Sequence, residues 1–213
     1  MPEPIRFARR LKRYQPAWGG HKPGHGWRLW PRCMKPQKEI DMFRRLLRRD
    51  PSVLYRHRWL ALCTGFQGEP YVVATPGVLI VPINAQGEVL FIVEPSRVDG
   101  SLVLSLPSGA TDDHTPAEAA DHELQEEIGY KAGRLDYLGE LSLLPRHGIW
   151  QNTVFLARDL TPQKLEGDEG YPISIEPTPF AEFESLIRSG RLTGAPLIAA
   201  LYMARSFIER EGR

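Results

Sequence analysis

The stretch TPAEAADHELQEEIG, from Thr115 to Gly129, constrains this chain more than any other. Thr115, Pro116 and Glu118 form a helix start. The threonine side chain can accept from the backbone three residues on, proline suits the first helical position, and the glutamate can reach back to close a capping box. Gly129 suits the left-handed residue that ends a helix. Between these marks Ala120, Leu124 and Ile128 recur every fourth residue as a buried stripe. Glu123, Glu126 and Glu127 then fall at i, i+3 and i+4, which puts three carboxylates on one face.

Three like charges so close raise one another's pKa values and contribute nothing to a helix unless a cation sits among them. Hard oxygen donors at this density suit Mg²⁺ or Mn²⁺, ions that also bridge substrate phosphates. The plainer alternative is a solvated acidic face. The capping box, the glycine stop and the loop before the helix favour the metal.

The segment resembles the Nudix box, G-x5-E-x7-R-E-U-x-E-E-x-G-U with U aliphatic. Glu123, Leu124, Glu126, Glu127 and Gly129 match it, and Gly109 stands for the opening glycine. His122 replaces the arginine, His114 replaces the first glutamate, and the spacing from Gly109 is one residue short. The resemblance implies that Glu123, Glu126 and Glu127 bind divalent metals that activate water against a diphosphate. His122 would take the arginine's place in orienting one of them. It also implies a homodimer exchanging N-terminal elements, with residues 37–70 at the interface.

Charge is divided unevenly along the sequence. Residues 1–58 carry 16 Lys and Arg against 4 Asp and Glu, and the rest carry 11 against 22. Residues 1–36, interrupted by proline and glycine, read as an extended arm. Basic residues next to Trp18, Trp27 and Trp30 could grip nucleic acid, but no such motif is legible. The preferred reading is an arm anchored on protein by its tryptophans. Residues 37–49 read as an amphipathic helix, with Ile40, Phe43, Leu46 and Leu47 on one side and Arg44, Arg45, Arg48 and Arg49 on the other. Residues 53–63 read as one strand of imperfect alternation. Cys33 and Cys63 are isolated, which fits reduced thiols rather than a zinc or disulfide framework. With no apolar run of membrane-spanning length and no signal core, a cytoplasmic protein is expected.

Residues 1–70 are therefore read as an arm and a helix-strand extension, and residues 71–213 as the catalytic domain. Strands are expected at 71–74, 78–83, 89–93, 102–106, 135–143 and 153–157, with 78–83 and 89–93 forming a hairpin. Arg97 follows the third of these and matches, in element order, an arginine that faces substrate in related ADP-ribose pyrophosphatases. A surface arginine is the equal alternative. Residues 159–170, DLTPQKLEGDEG, read as an acidic surface loop. They resemble a segment of the bacterial ADP compounds hydrolase group, in whose relatives a loop glutamate is the general base. Glu166 and Glu169 are the candidates, with Asp168 third. Helices at 179–189 and 195–209 close the chain.

Strands around a metal-bearing helix, with another helix opposite, give an α/β fold: a Nudix-type α/β/α sandwich on a mixed sheet with an N-terminal helix-strand extension. The activity implied is metal-dependent hydrolysis of ADP-ribose or a related nucleoside diphosphate derivative to two monophosphates. Substitutions at His114 and His122 keep open a weakened domain that senses an ADP ligand. A role on RNA ends for the basic head is the third reading.

Overall fold

The computed structural model describes residues 52–167 and 169–212. The arm over 1–36, the helix expected over 37–49, Cys33 and Asp168 lie outside them. Eleven strands run in chain order among the described residues: β1 (Val53–Arg56), β2 (Leu60–Thr64), β3 (Pro70–Ala74), β4 (Gly77–Pro82), β5 (Glu88–Pro95), β6 (Leu102–Ser105), β7 (Ser108–Ala110), β8 (Tyr130–Ser142), β9 (Gly148–Ile149), β10 (Gln151–Pro162) and β11 (Ser174–Pro179). The helices are α1 (Pro116–Glu123), α2 (Phe183–Arg188) and α3 (Ala195–Glu211).

One sheet has the order β7-β4-β10-β8, parallel between β4 and β10 and antiparallel elsewhere. A second, β11-β5-β6, is antiparallel. Strand β4 is buried along its whole length, as its unbroken apolar sequence GVLIV demands of a strand covered on both faces. Its side chains alternate between two cores. Leu79 and Val81 join Phe91, Leu156, Phe183 and Leu201 under α2 and α3, while Val78 and Ile80 join Ile92, Phe155, Ala120 and Leu124 under α1. The α/β/α sandwich on a mixed sheet expected from the sequence is therefore the arrangement observed. The remaining sheet, β1-β2-β3-β9, encloses a small core of Ala61, Cys63 and Val73.

Three local expectations are corrected. Residues 53–63 are not one strand but the antiparallel hairpin of β1 and β2. The chain reverses through His57-Arg58-Trp59, where the alternation was weakest, and the His57 N–H donates to the Leu60 carbonyl at 2.7 Å. Strands β4 and β5 turn tightly at Asn84–Gly87 but share only the bridge Ile83–Val89. Both edges of β4 are taken by β7 and β10, and both edges of β5 by β6 and β11, so no ladder can form between them. Strand β10 runs on through Pro162, still paired with β8, so the acidic loop begins after Pro162 and not at Asp159. Strand β11 was not expected at all. Its Pro177 and Pro179 are tolerated because it lies at a sheet edge.

Candidate active site

Helix α1 starts as its sequence dictates. Thr115 accepts from the Glu118 N–H at 3.3 Å, and the Glu118 carboxylate accepts from the Thr115 N–H at 2.9 Å. Such a cap is worth about 1 kcal/mol. The second half departs from the expected period. Leu124–Ile128 winds as one π-turn, ended by Gly129 at φ +75°, whose N–H donates to the Leu124 carbonyl five residues back. Across this turn Glu127 stays beside Glu123, whereas Glu126 pairs with His122.

Glu127 is 94% buried, with a relative exposure of 6%. Its Oε2 accepts from the backbone N–H of Ser108 at 3.0 Å. One carboxylate oxygen each from Glu123, Glu127 and Glu169 lie within 4.8 Å of one another. Burial, and then repulsion by Glu123, push the Glu127 carboxyl up to about 9. The Ser108 N–H opposes this, and Glu169 and Glu94 add to it. A carboxyl pushed up by burial and by adjacent acids is a site whose charge balance improves when a cation enters. The donors are all hard oxygens, so the residues present fit Mg²⁺ or Mn²⁺.

Gly109 on β7 owes its identity to this cluster. A Cβ there would overlap the Glu123 carboxylate, and one on its β4 neighbour Gly77 would come within 2.6 Å of the Gly109 carbonyl. Gly109 therefore lies against Glu123.

Of the candidates in the acidic loop, Glu169 joins Glu123 and Glu127, whereas Glu166 is exposed and outside the group. Glu126 is also outside it. Its Oε1 lies 3.1 Å from His122 Nε2, and the His122 ring stands 5.9 Å from that of His114, nearly parallel to it. The guanidinium of Arg97 lies 5.8 Å from the centre of the Trp59 ring, and Trp59 is 5.9 Å from Trp150. Tyr171 donates its hydroxyl to Glu94 at 3.0 Å, and its pKa is raised chiefly by burial, with Arg97 acting the other way. Trp59, Arg97, Tyr171 and Glu94 are thus linked by successive contacts, and the charge of Glu94 is felt in turn at Glu127. Glu94, Ser108, Trp59, Trp150 and Tyr171 were not singled out from the sequence. Only Glu94 carries a signal, as the acid that follows the apolar run 89–93.

Comparison with known proteins gives a consistent result. The NUDIX domain model matches residues 73–199. The ADP compounds hydrolase NudE of Escherichia coli (strain K12) is 32% identical over 137 residues, which span 64% of this chain and 73% of that protein. A solved structure described as the crystal structure of ADP compounds hydrolase superposes with a TM-score of 0.63 at 28% identity, covering 76% of this chain and 92% of that one. No helix among the described residues is long and apolar enough to cross a membrane.

Proposed function

The chain belongs to the NUDIX family as a pyrophosphohydrolase, and from that footing we propose that it hydrolyses the diphosphate linkage of ADP-ribose or a related nucleoside diphosphate derivative. The observation that carries this reading is the meeting of Glu123, Glu127 and Glu169 at one point. Similarity to ADP compounds hydrolases supports the substrate class.

Glu123 and Glu127 would hold Mg²⁺ or Mn²⁺, with Glu126 kept aside by His122. When bound, a divalent cation neutralises phosphate oxygens and acidifies water. Glu169 takes the proton of the attacking water as general base. The water oxygen bonds to one phosphorus, the bridging P–O bond breaks, and two monophosphates leave. The Ser108 N–H fixes the Glu127 carboxylate, and Gly109 leaves room for that of Glu123. Trp59 and Trp150 offer faces for a nucleobase, and Arg97 offers a cation for the diphosphate.

We also infer a cytoplasmic homodimer joined through N-terminal elements. The support is β1, at the end of its sheet, with Leu54 and Tyr55 about 60% exposed. Light scattering during size exclusion tests the dimer. The activity is tested by Mg²⁺-dependent phosphate release from ADP-ribose, using a coupling phosphatase that attacks only the products. Release is expected in the native protein and lost in Glu127→Gln. Equal release by both proteins would overturn the reading.

A further inference from the structure

The last carbonyls of any helix lack partners within it, and a cation near them gains from the helix dipole. Here the partners come from the segment that leads into the acidic loop. The Gln163 N–H donates to the Gly129 carbonyl at 2.9 Å, and the Leu165 N–H to the Gln125 carbonyl at 3.1 Å. Between them the Lys164 ammonium donates to the Glu126 carbonyl. The stem of Lys164 crosses the helix stop, so that a Cβ on Gly129 would stand 3.2 Å from Lys164 Cδ. The Lys164 ammonium thus sits at the end of the π-turn, where a cation is favoured. The loop then follows the same helix. At Gly167 a Cβ would stand 3.7 Å from the Glu126 carbonyl oxygen and 3.0 Å from Glu169 Oε2.

These contacts join the two halves of the carboxylate group. Glu123 and Glu127 stand on the helix, while Glu169 arrives on the loop. We propose that Lys164 is a positioning residue: its ammonium clasps the loop to the carbonyl end of the π-turn and so aims Glu169 at Glu123 and Glu127. The proposal rests on the reading of Glu169 as general base. Lys164 touches neither substrate nor the reacting atoms; it acts through Glu169, whose carboxylate shares one point with those of Glu123 and Glu127 and so bears on an ion held there as well as on the water.

The π winding gives the clasp its geometry. Widening the last turn directs the Gln125 and Glu126 carbonyls to the loop, where a backbone N–H and an ammonium are waiting. A neutral side chain of equal length would keep the stem over Gly129 and lose only the charged donor. Lys164→Met is therefore the informative substitution, and Lys164→Arg is its conservative partner.

The experiment measures kcat, KM and Mn²⁺ affinity of the full chain, the last by electron paramagnetic resonance without substrate. Lys164→Met is expected to weaken Mn²⁺ binding and to lower kcat, each by roughly tenfold, the range seen when outer-shell partners of a metal site are removed. KM should stay within about twofold, and Lys164→Arg should restore both lost quantities. Lys164→Met combined with Glu169→Gln should be no slower than Glu169→Gln alone. Native Mn²⁺ affinity and kcat in Lys164→Met, or losses that multiply in the double variant, would overturn the clasp. A Glu169→Gln enzyme that turns over at the native rate would instead overturn the base assignment, so the two failures are distinguishable.

Discussion

The backbone N–H of Ser108 donates to Oε2 of Glu127 at 3.0 Å across nineteen residues of sequence. That one bond ties the strand entering the site to the helix that carries its acids. It holds the Glu127 carboxylate in place, yet burial and Glu123 outweigh it and the carboxyl titrates at about 9.

A protonated Glu127 at neutral pH must lose its proton when a cation binds. Close to one proton should therefore be released per bound Mg²⁺ from this group at pH 7. Calorimetry in buffers of different ionisation enthalpy measures the number, and a value near zero would contradict the assignment.

The same group links stability to pH. Its carboxyl titrates near 4.5 when unfolded and near 9 when folded, so the folded chain holds the proton more tightly. That contribution is complete below about 4.5 and is lost as pH rises through about 9. In chelator, the thermal midpoint should fall across this window, and saturating Mg²⁺ should remove most of the fall. Glu127→Gln should flatten the curve in chelator.

Glu169 and Glu166 can be told apart by rate. If Glu169 is the base, Glu169→Gln should lower kcat by about 10²–10⁴-fold, while Glu166→Gln stays within about twofold. Steady-state kinetics at saturating Mg²⁺ reads both. The opposite order would move the role to Glu166.

Gly109→Ala introduces a methyl group where the Glu123 carboxylate lies. Overpacking of this kind costs about 1–3 kcal/mol, and displacing Glu123 should raise the Mg²⁺ concentration needed for half-maximal rate. Denaturant unfolding and a Mg²⁺ titration give the two readings. An unchanged titration would show that Glu123 has room to move.

Trp59→Ala removes the ring beneath Arg97 and beside Trp150. Loss of base stacking of ~1–3 kcal/mol corresponds to a KM for ADP-ribose raised between about 5- and 150-fold, with kcat little changed. The same substitution should leave hydrolysis of a diphosphate without a base unaltered.

The legible parts of the fold were those set by local chemistry. Thr115, Glu118 and Gly129 each mark a helix boundary by a bond that the residue itself makes, and Ala120, Leu124 and Ile128 mark the buried side. Strand partnership was not legible, because the turn at Asn84–Gly87 fixes a reversal but not which edges remain free. The tilt of Glu126 towards His122 was hidden for a different reason. A pattern read at the α-helical period cannot register a π-turn, which depends on the loop that meets its carbonyls. Trp59 and Tyr171 meet Arg97 and Glu94 only through tertiary packing, from positions without periodic or motif-like surroundings.

Strands β4 and β10 each present side chains to both cores, so neither can separate from its neighbours without opening the whole molecule. Their amides should be the last to exchange with deuterium, and helix α1 rests directly on them. The segment bearing Glu169 is held instead by the bonds of Gln163, Lys164 and Leu165 to the helix end and by Tyr171 on Glu94. On the proposed reading the reactive centre is thus assembled across a seam between two separately held parts, and its lifetime is the lifetime of that seam.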